Sequence, residues 1–389
     1  MKVTDFEKDK CCGCGMCAQI CPTHAIKMEE DDLGYIYPVI NEDKCVNCGK
    51  CYNTCPFNKN ADFELPIDTY AAVRADAEKL QKSSSGGVFA AIAESLLKSS
   101  EDWVVAGCAL DDKQNAKHVI VRTYDKLDTL YGSKYVQSSM GNIYQEVKCE
   151  LDNNKKVLFS GTPCQVAAIK EYVGNSSNLF TIEVICHGVP NQRMFTSYLK
   201  SLSPQIVNFT FRDKKQGWSY NNAYENAAGV RKVNHRLSSY MTYFLNGDTY
   251  RDSCYVCPFA KETRGADITI GDFWGIIREC PDLKDKLDIE KGVSCMIINT
   301  EKGKELIEKA EISKYPVDYM SIRKGNEPLN DPPRYTERRK DVMKIWGETN
   351  SWDNVTVFWK KNDYKLSYTI WSNIPIKIQN LIRILLKKR

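Results

Sequence analysis

Short apolar or β-branched runs recur through the middle of the chain, alternating with stretches of helical periodicity. WVVAGCAL (103–110), KKVLFSG (155–161), FTIEVIC (180–186), ADITIGD (266–272) and VSCMIINT (293–300) read as strands. VFAAIAESLLK (88–98), QVAAIKEYV (165–173) and GKELIEKA (303–310) space their apolar residues three and four apart and read as helices. Repeated strand-then-helix order predicts an α/β (mixed α+β) core with some parallel pairing, beginning near Tyr70. In such sheets, binding groups collect at the carboxyl ends of the strands. The preceding FNKNADFELPID (57–68) is polar and contains proline, as linkers do. The expected division is an N-terminal domain over 1–60, a linker over 61–69, a second domain over 70–330 and a tail over 331–389.

Composition narrows this picture. At 389 residues, 42% hydrophobic and 27% charged, the chain can bury an ordinary core, which excludes wholesale disorder and collagen-like structure. No apolar run approaches the ~18 residues of a membrane span. MKVTDFEKDKCC lacks the apolar stretch of a secretory signal, so a cytoplasmic protein is expected. Reducing compartments rarely use cysteine for structural disulfides, so the 17 cysteines are expected to serve metal or redox chemistry. Nine of them fall within the first 55 residues, too uneven for core packing. The net charge is +4, but 331–389 alone carries 13 Lys/Arg against 6 Asp/Glu. With no zinc-finger or RNP pattern beside it, that basic tail points to a surface or partner and not to nucleic acid.

Cys11, Cys14, Cys17 and Cys21-Pro22 read C-x2-C-x2-C-x3-C-P, and Cys45, Cys48, Cys51 and Cys55-Pro56 repeat the pattern. This is the bacterial ferredoxin run, in which three cysteines wrap one cubane and the fourth serves the other cluster. The expected sets are Cys11, Cys14, Cys17 with Cys55, and Cys45, Cys48, Cys51 with Cys21, each holding a [4Fe–4S] cluster. A pair of zinc sites would need neither the third spacing nor the Cys-Pro. GYIYPVINEDK between the runs reads as a strand leading into a turn. Cys12 stands outside the pattern as a spare thiol.

Four more cysteines fall at suggestive places. Cys164 follows the 155–161 strand, Cys186 ends the 180–186 strand, and Cys254 and Cys257 form a C-x2-C loop. They meet the requirements of a four-thiolate site at one edge of the sheet. Spacing equally allows Cys164 and Cys186 to be buried small hydrophobes, with the C-x2-C pair binding zinc or nothing. Cys108, Cys149, Cys280 and Cys295 lie singly, and core packing is the default for each. Of four histidines, His187 adjoins Cys186 and is the candidate catalytic proton relay, its ordinary pKa lying near neutrality. A hydrogen bond to a cluster sulfur or to backbone is its plainer alternative. His24, His118 and His235 show no partner pattern and are expected at the surface. No G-x-G-x-x-G follows a strand and no P-loop occurs, which favours electrons arriving through clusters over direct NAD(P)H oxidation.

GTPCQVAAIK, ICHGVP, RDKKQGW, SCYVCPFA and R-x-ADITIGDFWG together resemble the coenzyme F-420 hydrogenase/dehydrogenase β-subunit family over about 70–330, with a dicluster ferredoxin fused in front. The resemblance implies FAD and a third [4Fe–4S] cluster on Cys164, Cys186, Cys254 and Cys257. It also implies flavin contacts from Ser84, Ser85, Gly86 and Gly87, and from Gly132, Ser133, Lys134 and Tyr135 in YGSKYVQS. A Ser/Gly turn opening a helix presents free amides and a positive dipole end to a pyrophosphate, although any helix can carry a serine cap. Asp267, Asp272, Arg264, Arg212, Asp213, Gly217 and Trp218 stand open between substrate binding and loop structure.

The implied activity is that of an iron–sulfur flavoprotein oxidoreductase. It would pass electrons from a ferredoxin or another redox protein through the clusters to FAD, and on to coenzyme F-420 or another small organic substrate. The alternative is an electron-transfer subunit of a hydrogenase, dehydrogenase or reductase complex with no substrate of its own. At the end of the chain, Ile374, Ile378, Leu381, Ile382 and Leu385 lie at helical spacing, with Lys377, Arg383 and Lys387 largely off that stripe. Such a basic amphipathic helix suits an anionic membrane surface, its own core or a partner.

Overall fold

The computed structural model describes residues 1–59, 63, 65–374, 378 and 382. At the N-terminus a short helix, Met16–Ile20, leads into a hairpin of β1 (Ile26–Glu30) and β2 (Ile36–Ile40), paired antiparallel from Ile26↔Ile40. A second short helix, Lys50–Asn53, repeats the first, and each is opened by a left-handed glycine, Gly15 and Gly49. The repeated cysteine pattern is thus a repeated backbone.

The second part is built on β3 (Asp68–Arg74), β4 (Trp103–Leu110), β5 (Ala116–Val121), β6 (Lys156–Gly161) and β7 (Leu179–Val184). After β8 (Asn208–Thr210), β9 (Asn222–Asn226) and β10 (Gly229–Val233), which form a separate three-stranded sheet, come β11 (Ile268–Asp272), β12 (Ser294–Ile298) and β13 (Ile312–Pro316). One eight-stranded sheet runs in the order β13-β3-β12-β11-β7-β6-β4-β5. Its centre, β11-β7-β6-β4, is parallel, and antiparallel strands flank it on both sides. All five expected strands and all three expected helices are present, with bounds within a few residues of those the periodicity predicts. The mixed α/β class is as expected.

Side chains alternate across the parallel strands, which is why those strands read as continuous apolar runs. Val105 and Leu158 join Val88, Ile92 and Leu96 of the Val88–Lys98 helix on one face. Val104, Val157 and Phe159 join Ile143, Val147, Val166 and Ile169 of the Ile143–Asp152 and Pro163–Val173 helices on the other. A further aromatic core gathers Phe195, Tyr198, Phe211, Tyr240 and Phe244 with Trp346, Trp352 and Trp359. The last three come from the Glu337–Thr349 and Trp352–Asn362 helices, so most of the aromatic tail is core of the second part. The basic amphipathic helix expected beyond it falls largely outside the described residues. Of its stripe only Ile374, Ile378 and Ile382 are described, and Leu381, Leu385, Lys377, Arg383 and Lys387 are not. Among the described residues no helix is long and apolar enough to cross a membrane.

Candidate functional site

The four parallel strands deliver their carboxyl ends to one cleft of about 1690 Å³. Gly107 and Cys108 of β4 line it, as do Thr162 and Cys164 after β6, Cys186 and His187 after β7, and Asp272 of β11. Cys254 and Cys257 arrive from the loop beyond the Ser239–Leu245 helix and line the same wall. The structure therefore brings together Cys164, Cys186, Cys254 and Cys257, each electrostatically within reach of the others. Burial pushes the Cys254 and Cys257 thiols up to about 12 and Cys186 well above its usual value. A donated hydrogen bond from Cys12 pulls Cys164 down.

The N-terminal cysteines gather in two neighbouring places. Cys21, Cys45, Cys48 and Cys51 line one small void of about 20 Å³. Cys17 lies within electrostatic reach of Cys14, Cys11 and Cys55, and also of Cys51. This second, inner set is pressed into the sheet-bearing part. Tyr144 donates to the Cys14 carbonyl at 2.9 Å and Gln137 to the Cys12 carbonyl at 2.8 Å. Met16 sits in the core beneath the Pro163–Val173 helix. Among the described residues no group of three or more His, Cys, Asp or Glu side chains is set to hold a single metal ion. A cubane spreads its four sulfurs more widely than one ion does. All 17 cysteines are free thiols.

The opposite wall of the cleft carries Ser84, Ser85 and Gly87 together with Gly132, Ser133, Lys134 and Tyr135. The two segments touch, Ser84 Oγ lying 3.0 Å from Ser133 Oγ. Gly87, at φ +73°, opens the Val88–Lys98 helix, whose first residues Val88, Phe89 and Ala90 line the cleft at the end where helix amides lack intrahelical partners. Lys134 Nζ donates to the Leu130 and Tyr131 carbonyls at 3.0 and 2.8 Å, and burial lowers its pKa to about 8. A half-buried cation beside a helix N-terminus suits a phosphate, so these residues fit a dinucleotide such as FAD.

Gly86 departs from the expected role. Its amide bonds the Ser294 hydroxyl at 2.9 Å, and an added Cβ would sit 2.1 Å from the Ala72 carbonyl oxygen. It is glycine because the loop packs on β3 and β12, and it is not among the residues lining the cleft.

His187 also differs from the near-neutral relay that the sequence suggests. Burial lowers its pKa to about 4, and its Nδ1 hydrogen-bonds the Tyr250 hydroxyl, so it is a neutral ring at pH 7. His118 is not a surface residue. It is 7% exposed, lies on Phe159 and bonds Ser138 Oγ and the Ser160 carbonyl, because β5 carries it onto the covered side of the sheet. Cys149, expected in the core, is exposed on the outer face of its helix.

Two clusters of charge are only half legible in the sequence. Arg212 grips Asp272 with both ends of its guanidinium, at 2.7 and 3.1 Å, and Trp218 Nε1 donates to the same carboxylate at 2.6 Å. RDKKQGW and TIGD are thus one structure, with Tyr220 and Trp274 stacked around Arg212 on the cleft wall. Asp267 is occupied by the Thr181 amide and hydroxyl and by Thr300 and is structural, while Arg264 pairs with Glu183 and also lines the cleft within electrostatic reach of Cys257. Lys214, from the same RDKKQGW run, donates to the Leu80 and Ser85 carbonyls and so fastens the Ser-Gly loop. Burial, then the nearby Arg212, lowers its pKa to about 7. Cys12, Arg251 and Lys214 belong to the site although none lies in a recognised spacing, so the sequence alone does not mark them.

Comparison with known proteins gives four family matches. Residues 69–144 and 154–317 match the N-terminal and C-terminal parts of the coenzyme F420 hydrogenase/dehydrogenase beta subunit. Residues 10–59 and 37–88 match 4Fe–4S dicluster domains. No curated protein matches. Among solved structures, the F420-reducing [NiFe] hydrogenase complex from Methanosarcina barkeri is similar at 18% identity and a TM-score of 0.46, over 74% of this chain and 96% of that one.

Proposed function

Since the chain belongs to the coenzyme F420 hydrogenase/dehydrogenase beta-subunit family and carries a 4Fe–4S dicluster domain in front, we propose that it is a flavin-dependent iron–sulfur oxidoreductase. In this reading it takes single electrons from a ferredoxin-like protein and delivers them in pairs to coenzyme F-420 or another small organic molecule. A reducing, cytoplasmic setting suits its free thiols. One observation carries the proposal. The four cysteines of the second part and the Ser-Gly and Gly-Ser-Lys segments line a single cleft, so a cluster and a flavin would share one chamber.

When bound, the clusters supply one-electron transfer and the flavin the conversion to two-electron chemistry. The chain's own residues do the placing. Cys164, Cys186, Cys254 and Cys257 would hold the cluster. Ser84, Gly87 and the amides of the helix they open would hold a pyrophosphate, with Lys134 supplying positive charge. Gly86 serves only to seat that loop. Neutral His187, tied to Tyr250, can orient a group in the chamber by hydrogen bonding. A chamber of this size is larger than the roughly 300–1,000 Å³ of ordinary ligand pockets, which favours an enzyme with room for cofactor and substrate over an adaptor without a substrate.

Anaerobic purification followed by iron, sulfide and flavin analysis tests the reading. About twelve irons and one flavin per chain support it, at four irons per cubane. About eight irons without flavin, the ferredoxin pair alone, overturns it. Mixing the reduced protein with candidate small acceptors and following flavin reoxidation separates enzyme from adaptor.

A further inference from the structure

Arg251, three residues before Cys254, enters the seam between the two parts and is 0% exposed. Its Nε donates to the Cys11 carbonyl at 2.6 Å, one terminal nitrogen to the Ile36 carbonyl at 2.5 Å and the other to Gln137 Oε1 at 3.3 Å. The first of these terminal nitrogens also lies 4.0 Å from Cys11 Sγ, and the guanidinium covers the Tyr37 ring at 4.1 Å. None of these partners is a carboxylate. Gly13 makes the approach possible, since a Cβ there would meet the guanidinium carbon at 2.9 Å.

A fully buried guanidinium without a counter-charge is costly, so a negative group belongs beside it. The groups that face it from the packed elements are Cys11 and Cys12 of the ferredoxin part, Tyr37 of β2 and Cys254 of the second part. Cys11 belongs to the inner ferredoxin set and Cys254 to the four-cysteine wall of the cleft. The Cys12 thiol, 9% exposed, makes the same bridge without charge, reaching Cys14 on one side and Cys164 on the other. One cation and one neutral donor therefore each serve both cysteine sets. Neither Arg251 nor Cys12 reaches the outer set, which has its own neighbours in Lys2 beside Cys45 and Thr23 beside Cys21, and whose Cys48 is exposed.

We propose that Arg251 is a shared counter-charge for two iron–sulfur clusters, the inner ferredoxin cluster and the one on Cys164, Cys186, Cys254 and Cys257. This rests on the third cluster of the proposed function. A fixed positive charge favours the more negative, reduced form of a cluster, and hydrogen bonds to its sulfurs act in the same direction. Arg251 thus raises two potentials together and leaves the third alone. The residue is a positioning one, acting on the clusters' energies without taking part in bonding.

Potentiometric titration followed by EPR reads all three clusters of the full-length protein separately. In Arg251→Gln the inner and third clusters should each lose at least about tenfold in reduced-to-oxidised ratio at a fixed poise, about 59 mV for a one-electron couple, with the outer cluster unmoved. Arg251→Lys keeps the charge on another stem and should move the same two clusters in the same direction by less. That variant decides the matter if the glutamine variant does not fold. Cys12→Ala should also lower both potentials with iron content unchanged. A shift in one cluster alone, in all three or in none overturns the shared counter-charge. Iron near eight per chain in the parent protein, the ferredoxin pair alone, instead removes the third cluster and with it the proposed function. Iron near twelve with unmoved potentials defeats only this inference.

Discussion

The two four-cysteine sets of the ferredoxin part arise from one repeated pattern, yet the molecule treats them differently. The outer set, Cys21, Cys45, Cys48 and Cys51, lies under its own hairpin with Cys48 open to solvent. The inner set, Cys11, Cys14, Cys17 and Cys55, is wrapped by Tyr144, Gln137 and Arg251 of the other part, and Cys17 is 8% exposed. A local repeat fixes what each loop can ligate. The partner surface fixes which loop faces the world and which faces inward. The outer loop opens to solvent, and the inner loop meets the cleft, whose lining includes Cys12 and Cys14.

The sharpest way to break this comparison is to remove one ligand from each set. Cys17→Ser and Cys48→Ser should each lower iron by about four per chain. Only the inner change should also lower the melting temperature of the whole chain, since only that loop is built into the second part. Equal melting losses would show that the two sets are equivalent. Next in size is the seam itself. Trp346 is fully buried and donates to the Leu33 carbonyl at 2.8 Å, tying the hairpin turn to the aromatic core. Trp346→Ala should cost about 3–5 kcal/mol in thermal or denaturant unfolding. A loss below about 1 kcal/mol would mean the hairpin is not held there.

A smaller effect comes from charge buried in the second part. Lys214 has its pKa lowered from 10.5 to about 7, so between those values the unfolded chain holds a proton that the folded chain lacks. Stability from this group therefore rises with pH across that window, the folded state being penalised below about 7 where the buried amine must charge. In Lys214→Met the melting temperature should rise less steeply between about pH 7 and 10.5 than in the parent. Parallel pH curves would place the amine in water. The smallest change is expected at the outer loop. Val46 is 63% exposed, and Val46→Ser should stay within about 0.5 kcal/mol.

What can be read from the residues follows from what periodicity records. Strands buried on both faces, such as β4 and β6, announce themselves as unbroken apolar runs, and their bounds are legible to within a few residues. β9 and β10, NAYEN and GVRKV, are of mixed polarity, β10 being almost wholly exposed, and leave no such trace. The cysteines of the repeat are legible because a cubane demands fixed spacing. Cys254 and Cys257 are visible as a pair, but only the fold shows that Cys164, 90 positions earlier, lines the same wall. His118 reads as a surface residue because β5 alternates weakly and its covered face cannot be told from sequence. Gly86 suggests a ligand contact when it answers to the strands beneath it, and a bare glycine does not say which neighbour comes close. Arg251 gives no signal at all. Its meaning lies in Cys11, 240 positions away.

The wall of the cleft formed by Met320, Arg323, Lys324, Arg334 and Tyr335 contributes no strand to any of the three sheets. The other walls are fixed by strand ends and by cysteines that must keep their places. Sequence is therefore free to vary at those five positions, whereas Ile322 and Leu329 between them are fully buried and Asn326 bonds the Asp272 carbonyl and the Cys295 thiol. Those five positions can change while the strand ends and cysteines stay, which makes them the part of the cleft most open to evolutionary change.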